Sequence, residues 1–248
     1  MFPIRDHNPS ERFPIVTWAL IAANVVIFLS YLPLFGDERA LAILFWEWGM
    51  VPAKLVSGTG YHGLLTAMFL HGSLLHLGGN MLFLWIFGDN LEDRLGHAGF
   101  LAFYLATGIG AALLQFAAAP TSPVPMVGAS GAIAGVMGGY LLLFPRARVD
   151  VLLILIVYFR VFAVPAWLML GLWFTIQLVS GFGNPADGGV AYWAHAGGFA
   201  LGLAAILPYW IRAGGPRFWA RTEGHPDHPE ARYRLVESSV PKVRRRKR

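Results

Sequence analysis

Long apolar runs separated by short polar connections dominate this chain of 248 residues. A helix needs about 20 apolar residues to cross the ~30 Å hydrocarbon core of a bilayer. Six runs approach or reach that length, while a further run, 151–158, is too short to span and is predicted to be a buried or interfacial connector. The pattern predicts an all-α membrane protein with six transmembrane helices. The predicted spans are 14–34, 62–87, 99–119, 130–144, 161–180 and 190–211.

Composition and charge support an assignment to the membrane. Hydrophobic residues make up 56% of the chain and charged residues only 13%, whereas an average soluble domain is about 25% charged. Short cytoplasmic loops collect Lys and Arg, and with six spans the outer loops hold only Arg39 and Lys54. This partition predicts that the N and C termini are both cytoplasmic. The inner side holds the basic residues of the tail together with Arg5, Arg12, Arg94, Arg146, Arg148, Arg212, Arg217 and Arg221.

This topology predicts three regions: a cytoplasmic N-terminal segment at 1–13, a six-helix domain at 14–212 and a cytoplasmic tail at 213–248. The tail is polar, ends in VRRRKR and has a composition typical of disorder. We interpret it as an anchor attracted to anionic lipid in preference to a nucleic-acid-binding segment. Segment 1–13 resembles neither a signal peptide nor a transit peptide, which predicts a retained first span and favours a prokaryotic plasma membrane.

Several residue types are missing from the chain or from its predicted spans, and their absence excludes several kinds of chemistry. The chain has no cysteine, which rules out disulfides and thiol catalysis. No Asp, Glu or Lys falls within a predicted span. The paired carboxylates of an aspartyl protease, the ligands of a metalloprotease and the buried carboxylate typical of ion-coupled transporters are therefore missing. We expect no metal and no cofactor. A channel or transporter is disfavoured further because the two halves show no internal repeat.

Histidine, asparagine and serine supply the polar groups within the spans that suit chemistry best. His71, His76 and Asn80 lie in the second predicted span, Ser130 opens the fourth, and His195 lies in the sixth. His76 and Asn80 are four residues apart and share one helix face, from which His71 is rotated. Polar groups are costly in hydrocarbon, so each is a functional candidate. Interhelical hydrogen bonding that holds the bundle together is the alternative.

Ser130 is expected at the start of the fourth helix, because a loop with several prolines at 120–125 and then Gly128 precede it. The first backbone N–H groups of a helix have no intrahelical partners. Such donors beside a serine oxygen are what an oxyanion hole requires. A plain helix N-cap, a position that serine favours, is the alternative interpretation.

Glycines predict close packing of the helices that carry Ser130 and His195. Gly198 and Gly202 follow His195 at i+3 and i+7 and lie on the same helix face. Small residues at this spacing let two membrane helices approach backbone to backbone, which brings His195 toward Ser130. A comparable stripe on the fourth span consists of Gly131, Gly135 and Gly138.

A serine hydroxyl becomes an effective nucleophile when a base within hydrogen-bonding reach takes its proton. Because the spans contain no carboxylate, we expect a Ser130–His195 dyad whose imidazole is oriented by packing or by hydrogen bonding. His76 and Asn80 are candidates to join the backbone N–H of Ser130 as oxyanion donors.

Three motifs resemble the rhomboid family of intramembrane serine proteases. They are HGSLLHLGGNM at 71–81, GASG at 128–131 and AHAGG at 194–198. They occur in the family's order on the second, fourth and sixth spans, and the resemblance covers most of 14–211. It implies a six-helix bundle of the rhomboid type.

The resemblance also implies an activity and roles for individual residues. The implied activity is that of a serine endopeptidase that hydrolyses peptide bonds in or near transmembrane segments of other membrane proteins through an acyl-enzyme. These membrane proteins and the surrounding lipid bilayer are its implied partners, and nucleic acid is not expected. The implied roles are nucleophile for Ser130, general base for His195, oxyanion-hole residues for His76, Asn80 and Ser130, and accessory candidates for His71 and Gly128.

The first outer loop departs from many rhomboid sequences. A Trp-Arg pair is common there, whereas this chain has Trp46-Glu47-Trp48 without an adjacent arginine. The loop, 35–61, is semi-apolar and is predicted to be a structured element in the outer leaflet. The fifth span with the glycine-rich loop 181–189 is the candidate gate. A catalytically silent binder or chaperone on the same fold is the main alternative function, and the oligomeric state stays open.

Overall fold

The computed structural model describes residues 2–155, 158–183 and 191–226, and this part of the chain is mostly helical, as predicted. The helices are α1 (Ile15–Tyr31), α2 (Glu38–Trp48), α3 (Pro52–Val56), α4 (Gly63–Thr66), α5 (Leu74–Ala118), α6 (Ser130–Leu143), α7 (Ala166–Gly183), α8 (Tyr192–Arg212) and α9 (Pro216–Thr222). The strands are β1 (Phe2–Asp6), β2 (Arg148–Leu155) and β3 (Tyr158–Pro165).

Apolar helices overlap the predicted spans. By length and composition, three helical segments within the described residues are able to cross a membrane: Ile15–Gly36, which is α1 with a 3-10 extension, and the helices α5 and α8. The helices α6 and α7 are apolar but shorter. A polar backbone in hydrocarbon must satisfy its own hydrogen bonds, which favours helices wherever a long apolar run occurs.

The 45-residue helix α5 is divided at Gly96, where φ is +69°. Only glycine adopts such a backbone readily, and the division separates the predicted second and third spans. Leu91 and Phe103, one from each arm, lie 2.8 Å and 3.2 Å from the position that a Cβ on Gly139 would occupy. The two arms therefore fold back on each other against α6.

The second span was predicted to begin at residue 62, and this is wrong as the start of the long helix. Helix α4 and a 3-10 turn at Ala67–Phe69 come first, and α5 begins only at Leu74. Ser73 caps this start, because its Oγ accepts a hydrogen bond from the backbone N–H of His76 at 3.1 Å. A serine cap stabilises a helix start and so marks the boundary locally.

A three-stranded sheet corrects the prediction of an all-helical fold. The predicted connector and the first residues of the predicted fifth span form β2 and β3, which pair antiparallel, and β1 pairs antiparallel with the other edge of β2. Helix α7 therefore begins at Ala166 rather than at residue 161, directly after Pro165, which cannot continue a helix. Hydropathy along the chain did not reveal the sheet, because a short apolar run does not distinguish a strand from a connector or from the start of a span. In addition, β1 lies more than 140 residues from its partner β2.

The N-terminal segment, the sheet, the end of α6 and the segment after α9 meet at one end of the molecule. The Arg5 guanidinium donates to Asp150 at 2.7 Å, and the Tyr140 hydroxyl donates to Asp6 at 2.8 Å. The backbone N–H of Arg146 donates to the carbonyl of Gly224 at 2.8 Å. Segments that the charge pattern assigns to the same side of the membrane thus lie together.

The predicted tail, 213–248, begins with ordered structure instead of disorder. Helix α9 packs its Phe218 into the protein with only 3% of the residue exposed. The Trp219 indole donates to the carbonyl of Leu142 at 2.9 Å, which ties α9 to the end of α6. The remainder of the predicted tail, 227–248, lies outside the described residues.

The first outer loop is a structured element, as predicted. It contains α2 and α3, and Asp37 caps α2 by accepting from the backbone N–H of Ala40 at 3.0 Å. Met50 and Met126 exchange both backbone hydrogen bonds, at 3.0 Å and 2.8 Å. This bridge attaches the loop to the segment that leads into α6.

Helix α6 is the centre of the core, with α5 and α8 packed against it. A Cβ on Gly198 would collide with the carbonyl of Gly131, and a Cβ on Gly202 would collide with the carbonyl of Gly135. Gly138 approaches the carbonyl of Phe199 in the same way. The predicted backbone-to-backbone approach of the two glycine faces is confirmed.

Candidate active site

Ser130 is the first residue of α6, and its hydroxyl meets the imidazole of His195 on α8. The distance between Ser130 Oγ and His195 Nε2 is 2.7 Å, a strong hydrogen-bonding distance. The glycine contacts between α6 and α8 begin one residue after Ser130 and three after His195. Close helix packing therefore sets the separation of the two side chains.

Helix α7 holds the other side of the His195 ring. The Nδ1 atom of His195 lies 2.8 Å from Oε1 of Gln177, whose exposed fraction is 8%. The Trp173 ring, one turn earlier on α7, lies 5.9 Å from the imidazole between ring centroids. The imidazole was expected to be oriented by hydrogen bonding or by packing in place of a carboxylate. Both kinds of contact are present.

The start of α6 leaves backbone donors beside Ser130. The hydrogen bond from the Ile133 N–H to the carbonyl of Ala129, at 3.0 Å, closes the first turn. The N–H groups of residues 130–132 precede this first intrahelical bond, as at any helix N-terminus. Ser130 Oγ is therefore accompanied by unpaired N–H groups of its own helix turn.

The imidazole of His76 has its tautomer set by the backbone. The Gly72 N–H donates to His76 Nδ1 at 3.3 Å, so the neutral ring carries its proton on Nε2. That nitrogen lies 2.8 Å from the position of a Cβ on Gly128, and Ser130 Oγ lies 3.5 Å from the same position. Nε2 of His76 is thus a donor directed toward the surroundings of Ser130.

Gly128 is required at its position for two reasons. Its φ is +130°, a conformation that other residues rarely adopt. A side chain there would also strike the His76 ring. Its backbone N–H donates to the carbonyl of Ala67 at 2.9 Å, which fixes the turn before α6.

Asn80 lies on the same face of α5 as His76, as predicted from their spacing. Its Nδ2 donates to the backbone carbonyl of His76 at 3.1 Å, and its exposed fraction is 8%. A carboxamide nitrogen carries two protons, so one is left for a further acceptor.

A cavity of about 460 Å³ joins these groups. Its polar lining comes from His76, Asn80, Ser130 and His195, and its apolar lining includes Phe83 and Trp173. Concave, mostly apolar sites with a few convergent polar groups are typical of ligand and substrate sites. The predicted site residues are thereby brought together around one space.

His71 lies elsewhere than predicted. It precedes α5 instead of sharing that helix, and it is fully buried. Its backbone N–H donates to the Tyr31 hydroxyl at 2.7 Å, and this hydroxyl donates back to the His71 carbonyl at 3.0 Å. The His71 and His76 rings meet edge to face with centroids 5.1 Å apart. His71 therefore supports His76 and does not line the cavity.

Gln177 and Trp173 were not identified from the sequence. A glutamine in an otherwise apolar fifth span was the available signal, since polar groups in spans are costly. Within residues 2–155, 158–183 and 191–226, no group of three or more His, Cys, Asp and Glu side chains is placed to hold a metal ion.

These features define a helical membrane protein with a hydrogen-bonded serine and histidine between its helices. A family model described as the rhomboid domain matches residues 58–212, more than half of the chain. The chain belongs to the rhomboid family.

Relatives in bacteria and in mitochondria are similar to this chain. It is 28% identical over 198 residues to the rhomboid protease GlpG of Salmonella paratyphi A, covering 78% of this chain and 63% of that protein. It is 34% identical over 149 residues to rhomboid protein 1, mitochondrial, of Saccharomyces cerevisiae, covering 56% and 39%. With the rhomboid protease GluP of Bacillus subtilis, identity is 34% over 128 residues, covering 52% and 24%. The matches thus span less than two thirds of these relatives' own lengths.

Proposed function

We propose that this protein is an intramembrane serine endopeptidase that hydrolyses peptide bonds in or near transmembrane segments of other membrane proteins. The observation that carries the proposal is the 2.7 Å hydrogen bond between Ser130 Oγ and His195 Nε2 at the edge of the cavity. Membership of the rhomboid family and the relatives named as rhomboid proteases support the same reaction class.

Ser130 is the proposed nucleophile and His195 the proposed general base. Nε2 of His195 takes the hydroxyl proton as Oγ attacks the scissile carbonyl carbon, and the same imidazole then protonates the leaving amine. An acyl-enzyme on Ser130 results, and a water activated by His195 hydrolyses it. No carboxylate is part of the proposed site, so the pair works as a dyad.

The tetrahedral intermediate needs donors for its oxyanion. The backbone N–H of Ser130, Nε2 of His76 and Nδ2 of Asn80 are the proposed donors, because all three residues line the cavity. Preorganised donors of this kind are worth most in a site from which water is largely excluded.

The proposed topology has six spans and two cytoplasmic ends, counting the two arms of α5 separately. The N-terminal segment and the segment after α9 lie at the same end of the molecule, next to β2, which supports an even number of crossings. The matched relatives include proteins named as mitochondrial and chloroplastic, so the family does not select one membrane. A prokaryotic plasma membrane stays a prediction.

Labelling by a fluorophosphonate serine-hydrolase probe tests the proposed dyad. Purified protein in detergent is expected to label, whereas Ser130→Ala and His195→Ala are not, because the probe reports an activated serine. Ser30→Ala is the matched control: this serine is exposed on α1 and bonds only within its own helix, so labelling should persist.

Two outcomes would contradict the proposal. A folded wild type that neither labels nor cleaves a transmembrane substrate would favour the catalytically silent binder. Labelling that survives in Ser130→Ala would place the reactive serine elsewhere in the chain.

A further inference from the structure

The Nδ1 atom of His195 has a specific acceptor on a different helix. Gln177 Oε1 approaches it to 2.8 Å from α7, and the carboxamide is buried with 8% of the residue exposed. A glutamine side chain is costly to bury in an apolar span unless it is hydrogen-bonded. The hydrogen bond that the imidazole donates to the amide oxygen offsets that cost.

The two contacts of the His195 ring define its tautomer. A neutral imidazole has one protonated nitrogen, which donates, and one bare nitrogen, which accepts. The carboxamide oxygen of Gln177 can only accept, so the proton belongs on Nδ1. Nε2 is then bare and faces Ser130 Oγ at 2.7 Å, as a base that receives the serine proton must be.

We propose that Gln177 is a positioning residue that fixes His195 in the Nδ1–H tautomer and orients Nε2 toward Ser130. This inference rests on the proposed function, in which His195 is the base. In triads a carboxylate does this work, and it also stabilises the imidazolium that forms. A neutral amide supplies the orientation with a dipole in place of the full charge.

Helix α7 carries both residues described here as contacting the His195 imidazole, Gln177 and Trp173. The orientation of the base therefore depends on the packing of α7 against α8.

Two substitutions at position 177 separate hydrogen bonding from packing. Gln177→Met keeps the length of the side chain but removes the acceptor, and Gln177→Glu keeps an acceptor oxygen in either protonation state. Replacing the Asp of a triad by Asn, which imposes the wrong tautomer, costs about 10⁴-fold. Because Gln177 is a neutral amide, we expect a smaller effect: Gln177→Met should slow labelling about 10- to 100-fold at saturating probe. The probe concentration that gives the half-maximal labelling rate should change less than about 3-fold.

Rescue and control variants accompany this measurement. Gln177→Glu should label within about 10-fold of the wild type, because Nδ1–H again has an acceptor. Ile176→Ala changes the neighbouring residue, which is half exposed on the outer side of α7, and should label like the wild type. Thermal unfolding of each protein checks that the variants are folded.

The tautomer is read directly by ¹⁵N NMR of the full chain with labelled histidine, with the His195 signals assigned by their loss in His195→Ala. We expect the proton on Nδ1 in the wild type and its transfer, wholly or partly, to Nε2 in Gln177→Met. If His195 of the wild type carries its proton on Nε2, the proposal is wrong, and no variant is needed to show it. A folded Gln177→Met protein that keeps the proton on Nδ1 overturns it too, whatever its labelling rate.

The two readouts distinguish this inference from the proposed function. A wild type that never labels but carries the Nδ1 proton, lost in Gln177→Met, supports the positioning role while the protease function fails. If the wild type cleaves substrate and the tautomer of His195 is unchanged in Gln177→Met, the protease function is supported. The positioning role of Gln177 is then wrong.

Discussion

At the scale of single residues, the site consists of polar side chains that are held in place by hydrogen bonds to identified partners. The His76 ring is oriented by the Gly72 N–H, and the His195 ring is oriented by Gln177. Asn80 makes one bond to its own helix and keeps a proton for the cavity. All three residues line the cavity together with Ser130, and groups oriented in advance are what the proposed catalysis needs.

Asn80 and Asn24 provide a matched pair for testing the oxyanion donor. Each is buried, and each donates from Nδ2 to the carbonyl four residues earlier, at 3.1 Å and 2.8 Å. Only Asn80 lines the cavity. We expect Asn80→Ala to lower kcat for a model transmembrane substrate about 100-fold with little change in KM, as loss of one oxyanion donor does elsewhere.

Asn24→Ala removes the same kind of backbone bond from α1 and should leave kcat near the wild-type value. Both variants should lose a similar amount of stability, about 1 kcal/mol. Equal kcat values for the two variants would argue against Asn80 as an oxyanion donor.

At the scale of elements, the contact between α6 and α8 positions Ser130 beside His195. Without glycine at the crossing points the two backbones could not approach, because a Cβ on Gly202 would meet the carbonyl of Gly135. Close approach of this kind is the main source of packing between membrane helices, which lack a hydrophobic driving force relative to lipid.

Gly202→Ala should therefore destabilise the protein and abolish probe labelling. We expect a loss of about 1–3 kcal/mol or more, since the obstacle is backbone and cannot rotate away. Gly171→Ala on α7 is the control, because no atom lies within 4 Å of its added Cβ. Thermal unfolding in detergent compares them; a Gly202→Ala protein as stable and as reactive as the wild type would contradict the packing argument.

The elements also show where prediction from sequence was limited. The start of α6 at Ser130 was correct, since prolines and Gly128 mark that boundary locally. The carboxylate of Glu92 was not recognised: it accepts from the Val16 and Thr17 backbone N–H groups, both at 2.8 Å, and thereby caps α1 from α5. A cap supplied by a residue 75 positions away leaves no local signal.

At the scale of the whole molecule, two carboxylates of the sheet, Asp6 on β1 and Asp150 on β2, join the N terminus to the rest of the fold. Burial, and secondly the nearby Asp89, raise the pKa of Asp6 well above the ordinary 3.8, more than the Tyr140 hydrogen bond lowers it. Burial also raises the pKa of Asp150, but hydrogen bonds from His7 and Arg5 outweigh it, and the pKa is lowered.

These two shifts have opposite consequences for stability. Above 3.8 the unfolded Asp6 is ionised while the folded one still holds its proton, so the free energy of unfolding falls as pH rises toward the folded pKa. Asp150 stabilises the fold above 3.8, and that contribution is lost as pH falls through its lower folded pKa.

Asp6→Asn should remove the first of these dependences. The amide oxygen still accepts from Tyr140, and no charge is buried at high pH. We expect the thermal unfolding midpoint of the wild type to fall as the pH is raised from about 4 to about 8, and that of Asp6→Asn to change less. Asp150→Asn, the comparison variant, should retain the wild-type slope there; identical slopes in wild type and Asp6→Asn would contradict the assignment.

The sequence by itself determined the membrane class and the helical runs, because apolar length acts locally along the chain. It also determined the shared face of His76 and Asn80, and its glycine spacing predicted the close approach of the helices that carry Ser130 and His195. Tertiary structure decided the sheet, the ordered helix α9 and the contact of Gln177 with His195. Each depends on a contact between separate elements, and only the packed molecule determines which groups on different elements meet.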